Sequence, residues 1–362
     1  MRIKYIDNHS CYTAKSFDSD NNVFELKSDD GSTLLYRPIL ELNQEDPKHY
    51  TFHLLANDSP SCSENSIFQV YVGKQRIGWV FPFQALLSSD HDYAENPYFL
   101  KYAYVATELL LQHLEETDKR VEPEQFYLED YYNTECNLLV LDSRNTGAIP
   151  NFNLEKDYLV GLYKYGYSFS EKGNSLANLP SSTEQSILHI KPIATALSEI
   201  PTINYLFREQ LPFANSEIMR FHLCYQIIEL LIEIVFKDKF TELVAEITET
   251  PDKLSDHKDT LSKITGEKER VKELFDRYAP RTESSYRTDL DTACQKLLAE
   301  SNRKVSGSYY YNLYSVRCLI VHQLYSLSKD NLEILKEINK PFLNLIMDVL
   351  FQFRKPSPSK KR

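Results

Sequence analysis

Through the first half of the chain, apolar residues come in short β-type runs separated by turn-forming residues, the pattern of strands rather than helices. Segments 24–27 and 33–40 flank the turn signal Asp29-Asp30-Gly31-Ser32. Segments 50–55, 67–72 and 77–81 follow, with Gly73-Lys74-Gln75-Arg76 as a hairpin connection between the last two. A helix is predicted over 98–115, where apolar residues recur at helical spacing, and 137–141 and 158–163 are further strands. Residues 168–185, rich in Ser, Asn and Pro, read as a loop or linker.

Beyond about Pro212 the period becomes helical. Asn215 or Ser216 is placed to cap a helix running to Phe236, and further helices are predicted over 240–247, 267–278, 289–300, 309–326 and 331–353. Asp330 with Glu333 has the spacing of an N-terminal cap, and Pro341 is expected to kink or interrupt the last helix. The fold class that follows is α+β: a β-rich N-terminal domain over 1–190, then an all-α antiparallel helical bundle over 200–355. The sequence ends in RKPSPSKKR, five positive charges in nine residues. Residues 356–362 read as a basic, solvated tail, with RNA holding as the functional alternative.

Composition narrows the chemistry. The 362 residues include only nine glycines, about a third of ordinary usage. No Gly-x-Gly pair exists, and the two Gly-x4-Gly spacings, Gly73/Gly78 and Gly161/Gly166, are followed by Trp79 and Tyr167 rather than Lys. Dinucleotide folds and P-loops are therefore disfavoured, as is a Gly-x-Ser-x-Gly nucleophile elbow. Forty-one Lys+Arg against 52 Asp+Glu leave a net charge of −11, which argues against nucleic-acid binding through a broad basic face. Six scattered cysteines without Cys-x2-Cys spacing give no zinc knuckle, and no metal or other cofactor is expected. The opening MRIKYIDNHS lacks the apolar core of a signal peptide, and no segment is apolar enough to span a bilayer. A cytoplasmic protein with reduced thiols is the expectation.

One constellation carries chemistry. The predicted helix over 309–326 contains Tyr314-Ser315-Val316-Arg317-Cys318-Leu319-Ile320-Val321-His322. Arg317 is a permanent cation and His322 a titratable imidazole, and both stand in an otherwise apolar stretch, where a buried Arg needs a partner. Five residues apart, they leave the helix about 140° from one another. The helix over 216–236 carries His222, Gln226, Glu229 and Glu233 within about 60° of one another, on an otherwise apolar cylinder. That polar stripe either faces water or sends Glu229 or Gln226 to the Arg317/His322 pair. Tyr310, Asn312 and Tyr314 lie one or two turns upstream, as core or interface residues or as groups that stack on a base or bond a phosphate. Cys318 and His322 share a helix face but lack an acidic orienter, so a small buried thiol is preferred to a nucleophile. His49 and His53 have zincin spacing but lie in a predicted strand with no Glu after His49, and 115–118 reads as a solvated acidic helix end.

These residues resemble the HEPN superfamily of helical-bundle domains. YSVRCLIVHQL is similar to that family's Arg-polar-x3-His motif, and RFHLCYQIIELLIE resembles its opening helix, with Glu229 at the place of the acidic residue. The resemblance covers about residues 200 to 355. It implies a metal-independent endoribonuclease, of the kind found in toxins and antiphage abortive-infection systems, acting as a homodimer whose two Arg/His sets share one cleft. On that reading Arg317, His322 and Glu229 are catalytic, and Tyr310, Asn312, Tyr314 and Gln226 bind the RNA substrate. Cys318 departs from the family pattern, which places Asn, Asp or His after the Arg. The competing expectation is a non-catalytic HEPN-like module that binds a ligand or partner protein. In either case the N-terminal half is available to sense a regulatory ligand or phage trigger.

Overall fold

A computed structural model describes residues 12–28, 31, 33–57, 63–112, 127–169, 179–180 and 187–356. The chain divides into two compact units, Met1–Lys191 and Pro192–Arg362.

In the first unit, β1 (Tyr12–Asp18), β2 (Val23–Ser28) and β3 (Thr33–Tyr36) form an antiparallel meander. The second sheet comprises β4 (Tyr50–Ala56), β5 (Phe68–Val72), β6 (Gln75–Pro82), β7 (Asn137–Asp142), β8 (Ser168–Phe169) and β9 (Ile187–His189). Its order is β8-β4-β7-β6-β5-β9, and every pairing is antiparallel except β5 with β9. The central strand β7 is buried along its whole length, which is why Asn137-Leu138-Leu139-Val140-Leu141 reads as a continuous apolar run rather than an alternation. Gly78 on β6 lets the two central strands close, since a Cβ there would run into the Val140 carbonyl oxygen.

Helix α1 (Pro97–Leu111) starts with Pro97 in its first turn and Asn96 accepting hydrogen bonds from the N–H groups of Tyr98 and Phe99. It is buried almost all round. Trp79 and Phe81 pack edge-on against Phe99, and Phe24 of the meander stacks on Tyr104. A short helix α2 (Ser143–Thr146) follows β7. The expected strand over 158–163 is instead helical: a π turn, Leu154–Tyr158, leads into α3 (Leu159–Tyr163). An apolar run this short does not separate a buried strand from a buried helix. Here Asn153 caps the Lys156 N–H and starts the helical turn. The linker expected over 168–185 lies largely outside the described residues, as do the acidic cluster at 115–118 and residues 357–362 of the tail.

The second unit is helical: α4 (Pro201–Tyr205), α5 (Glu217–Glu249), α6 (Leu254–Thr265), α7 (Glu267–Glu273), α8 (Ser284–Glu300), α9 (Tyr309–Gln323) and α10 (Lys329–Gln352). With the sheet-bearing first unit this makes the chain α+β. Ser216 caps α5 by accepting from the Met219 N–H, and the helix runs on through the separately predicted 240–247. Helix α10 is started by Ser328, whose side chain exchanges hydrogen bonds with Asn331, rather than by Asp330 and Glu333, and it continues through Pro341.

Helices α8 and α10 run antiparallel, with Lys296 on Glu337 at 2.9 Å near one end and the Glu283 N–H on Asp348 at 2.6 Å near the other. Helices α5 and α10 run in the same direction. Asn339 bonds Glu217, Phe342 packs on Phe221, and Lys355, just beyond α10, pairs with Asp238. No described helix is long and apolar enough to cross a membrane.

Candidate functional site

Helix α9 buries Asn312, Leu313, Val316, Leu319 and Ile320, a stripe at helical spacing that turns one face to the core. Arg317 leaves on one flank of that stripe and His322 on the other. The flank of Arg317 meets α5 and the first turn of α7. Its Nη2 donates to Glu229 Oε1 at 3.0 Å, its Nε lies 4.0 Å from Glu267 Oε1, and its guanidinium sits 5.5 Å above the Tyr225 ring. Tyr225 in turn donates its hydroxyl to Glu267 at 3.2 Å. Only 20% of the Arg317 side chain remains exposed. Burial opposes its charge, but the Glu229 hydrogen bond and the nearby Glu267 outweigh that cost, and the guanidinium pKa is raised. Burial, reinforced by Glu267, pushes the Tyr225 phenol up as well.

The polar stripe of α5 does both things open to it. Gln226, Glu229 and Glu233 are exposed, yet Glu229 turns to Arg317 and Glu233 to Arg270 of α7 at 3.5 Å. Gln226 stays in solvent without joining the Arg317 cluster.

His322 is exposed and makes no hydrogen bond among the described residues. Beside it in the chain, Val321, Leu324 and Tyr325 are exposed apolar groups, Tyr325 to 89%. Between the two flanks stand Tyr314 and Cys318. Burial raises the Tyr314 phenol pKa, and its hydrogen bond with the Cys318 thiol adds to the shift. Tyr310 is half-buried between the rings of Tyr309 and Tyr311. Asn312 is fully buried, and its amide is used internally, donating to Asp291 at 2.7 Å and accepting from the Ser306 N–H. It tethers the loop before α9 and presents nothing to a substrate.

Two members of the cluster escaped sequence reasoning. Tyr225 stands one turn from Glu229, a spacing that places it beside the carboxylate, but it reads as core. Glu267 opens α7 after Gly266, and only the packing of a third helix brings it to Arg317. Among the described residues no three His, Cys, Asp or Glu side chains gather as metal ligands. Comparisons with protein-family models, curated proteins and solved structures return no match for this chain.

Proposed function

We propose that the chain is a metal-independent endoribonuclease of the HEPN type, acting as a cytoplasmic homodimer in a toxin or antiphage abortive-infection role. The observation that supports it is Arg317, a guanidinium held by Glu229 through Nη2 only, on a helix whose other flank exposes His322. A guanidinium has five N–H donors, so one hydrogen bond leaves several for the non-bridging oxygens of a scissile phosphate. One imidazole takes the 2′-OH proton as the 2′-oxygen bonds to phosphorus. The bond to the 5′-oxygen breaks, and that oxygen receives a proton from an imidazolium. Arg317 stabilises the charge that develops between these events. The products are a cyclic phosphate and a 5′-hydroxyl.

Two imidazoles are needed, and a second copy docked on the exposed Val321, Leu324 and Tyr325 supplies the other. Cys224, Cys294 and Cys318 form no disulfide among the described residues.

A second reading has its own support. Glu229 and Glu267 both lie on Arg317, so the cluster also serves as an internal knot in a non-catalytic binding module. Cleavage separates the two. Purified wild-type protein is expected to cut single-stranded RNA in EDTA, leaving cyclic or 3′-phosphate ends. His322→Ala, exposed and therefore harmless to the fold, is expected to abolish cutting. Inert wild type, or normal cutting by His322→Ala, sinks the nuclease reading.

A further inference from the structure

On α5 and α7, one turn away from the Arg317 cluster, a cavity of about 240 Å³ opens between α5, α6 and α7. Its apolar wall is Val235, Phe236 and Ile264. Four cations line it, Lys239, Lys263, Arg270 and Arg277, in a chain whose net charge is −11. Glu269 and Glu273 also reach the cavity, but Glu273 is paired with Arg277 at 3.4 Å and Glu269 accepts from the Tyr311 hydroxyl.

Arg270 is the informative member. Its guanidinium lies 5.5 Å over the Phe236 ring, and its Glu233 contact is long, at 3.5 Å. Its Nε is shut away from water with no hydrogen-bond partner among the described residues. A side chain 20% exposed that leaves a buried donor unmet is under-satisfied by its own protein. Lys263, at the end of α6, is exposed and makes no ion pair among the described residues. An apolar wall beside one under-satisfied guanidinium and one unpaired ammonium matches a ligand with a ring at one end and an anion at the other. The volume lies just under the range of roughly 300–1,000 Å³ for drug-sized ligands, so the occupant is of fragment size.

We propose that this cavity binds a small phosphate monoester carrying a flat ring, with the ring on Val235, Phe236 and Ile264 and the phosphate between Arg270 and Lys263. The site goes beyond the nuclease reading and does not depend on it. Titration calorimetry on the full chain tests it, with phenyl phosphate as the probe, inorganic phosphate as the anion alone and benzyl alcohol as the ring alone. Phenyl phosphate is expected to bind once per chain with a Kd of about 1 mM or tighter, and each half-probe at least about tenfold more weakly. Arg270→Gln is expected to weaken phenyl phosphate at least about tenfold, and Lys263→Gln about threefold. Lys263 stands on an exposed rim, so its variant still decides the matter if Arg270→Gln unfolds. The site is ruled out if phenyl phosphate fails to saturate, if inorganic phosphate binds as tightly, or if the Lys263 variant binds like wild type.

Discussion

A guanidinium four-fifths covered by protein keeps its charge only if the protein replaces the water it lost. Arg317 manages this with one half-exposed carboxylate, one more distant carboxylate and an aromatic face. Because Glu229 is 45% exposed, their ion pair contributes about 1 kcal/mol or less, so the arrangement holds the guanidinium in place more than it holds the fold together. Lysine would keep the charge and lose the planar fork. If the proposed nuclease reading holds, Arg317→Lys is expected to cut RNA at least about 100-fold more slowly, while calorimetry finds the melting temperature within about 4 °C of wild type. A loss under tenfold would remove Arg317 from the chemistry.

Glu108 of α1 shows the opposite balance. Burial is the largest influence on it and raises its pKa, although the Tyr104 hydroxyl and the Gln112 amide bond it, and its Oε2 is buried without a partner. A carboxyl whose folded pKa lies above its unfolded value binds its proton more tightly in the fold. Stability therefore falls as pH rises from the unfolded pKa near 4.5 through the raised folded value. Glu108→Gln removes that loss. In urea titrations it is expected to gain on the order of 1 kcal/mol at pH 7 and nothing at pH 4. An equal gain at both pH values would mean that ionisation is not the cause.

At the scale of elements, the start of α10 is a compact test of what holds a helix in this unit. Ser328 accepts from the Asn331 N–H at 3.2 Å, and Asn331 Oδ1 accepts from the Ser328 N–H at 2.9 Å, so two otherwise orphaned donors are met reciprocally. Ser328→Ala is expected to cost about 1 kcal/mol, whereas Asp330→Ala, inside the first turn, costs only a few tenths. Urea midpoints of the two variants check the ranking, and a larger loss at Asp330 would overturn it. The spacing Asp330/Glu333 resembles a cap as closely as Ser328/Asn331 does, and only the backbone at Ser328, extended at φ −78° and ψ 173°, decides between them. The same limit explains the other departures. Residues 50–55 and 137–141 are legible as strands because they are long enough and rich enough in β-formers. Residues 158–163 are not, because a buried six-residue run this short carries no readable period. Helix α6 is mostly solvated: its three apolar residues, Leu254, Leu261 and Ile264, keep helical spacing but are too sparse among polar neighbours to stand out, and His257 is its one buried residue. In the candidate site, the meeting of Glu229 with Arg317 was one of two readings open to the polar stripe. Glu267 was illegible because its place depends on how a third helix packs.

For the whole molecule, the sharpest consequence is the separation into two units with their own cores. Trp79, Phe81 and Phe99 belong to the first, and Phe221, Tyr225 and Phe342 to the second. Arg317, Glu229, Glu267 and His322 all lie in the second unit. On the nuclease reading a scarcity of glycine fits such a site, since side chains on helices would handle the phosphate and no backbone loop would need to approach it. If the second unit cuts RNA, the 191 residues before it are free to restrain it. The fragment 192–362 retains its own apolar core and is expected to be more toxic on expression than the whole chain, with His322→Ala in the fragment restoring growth. Plating efficiency against inducer concentration reads this directly. A fragment that folds and is no more toxic than the whole chain would remove the first unit from control, because nothing in the second unit's own cluster would then be held in check by it.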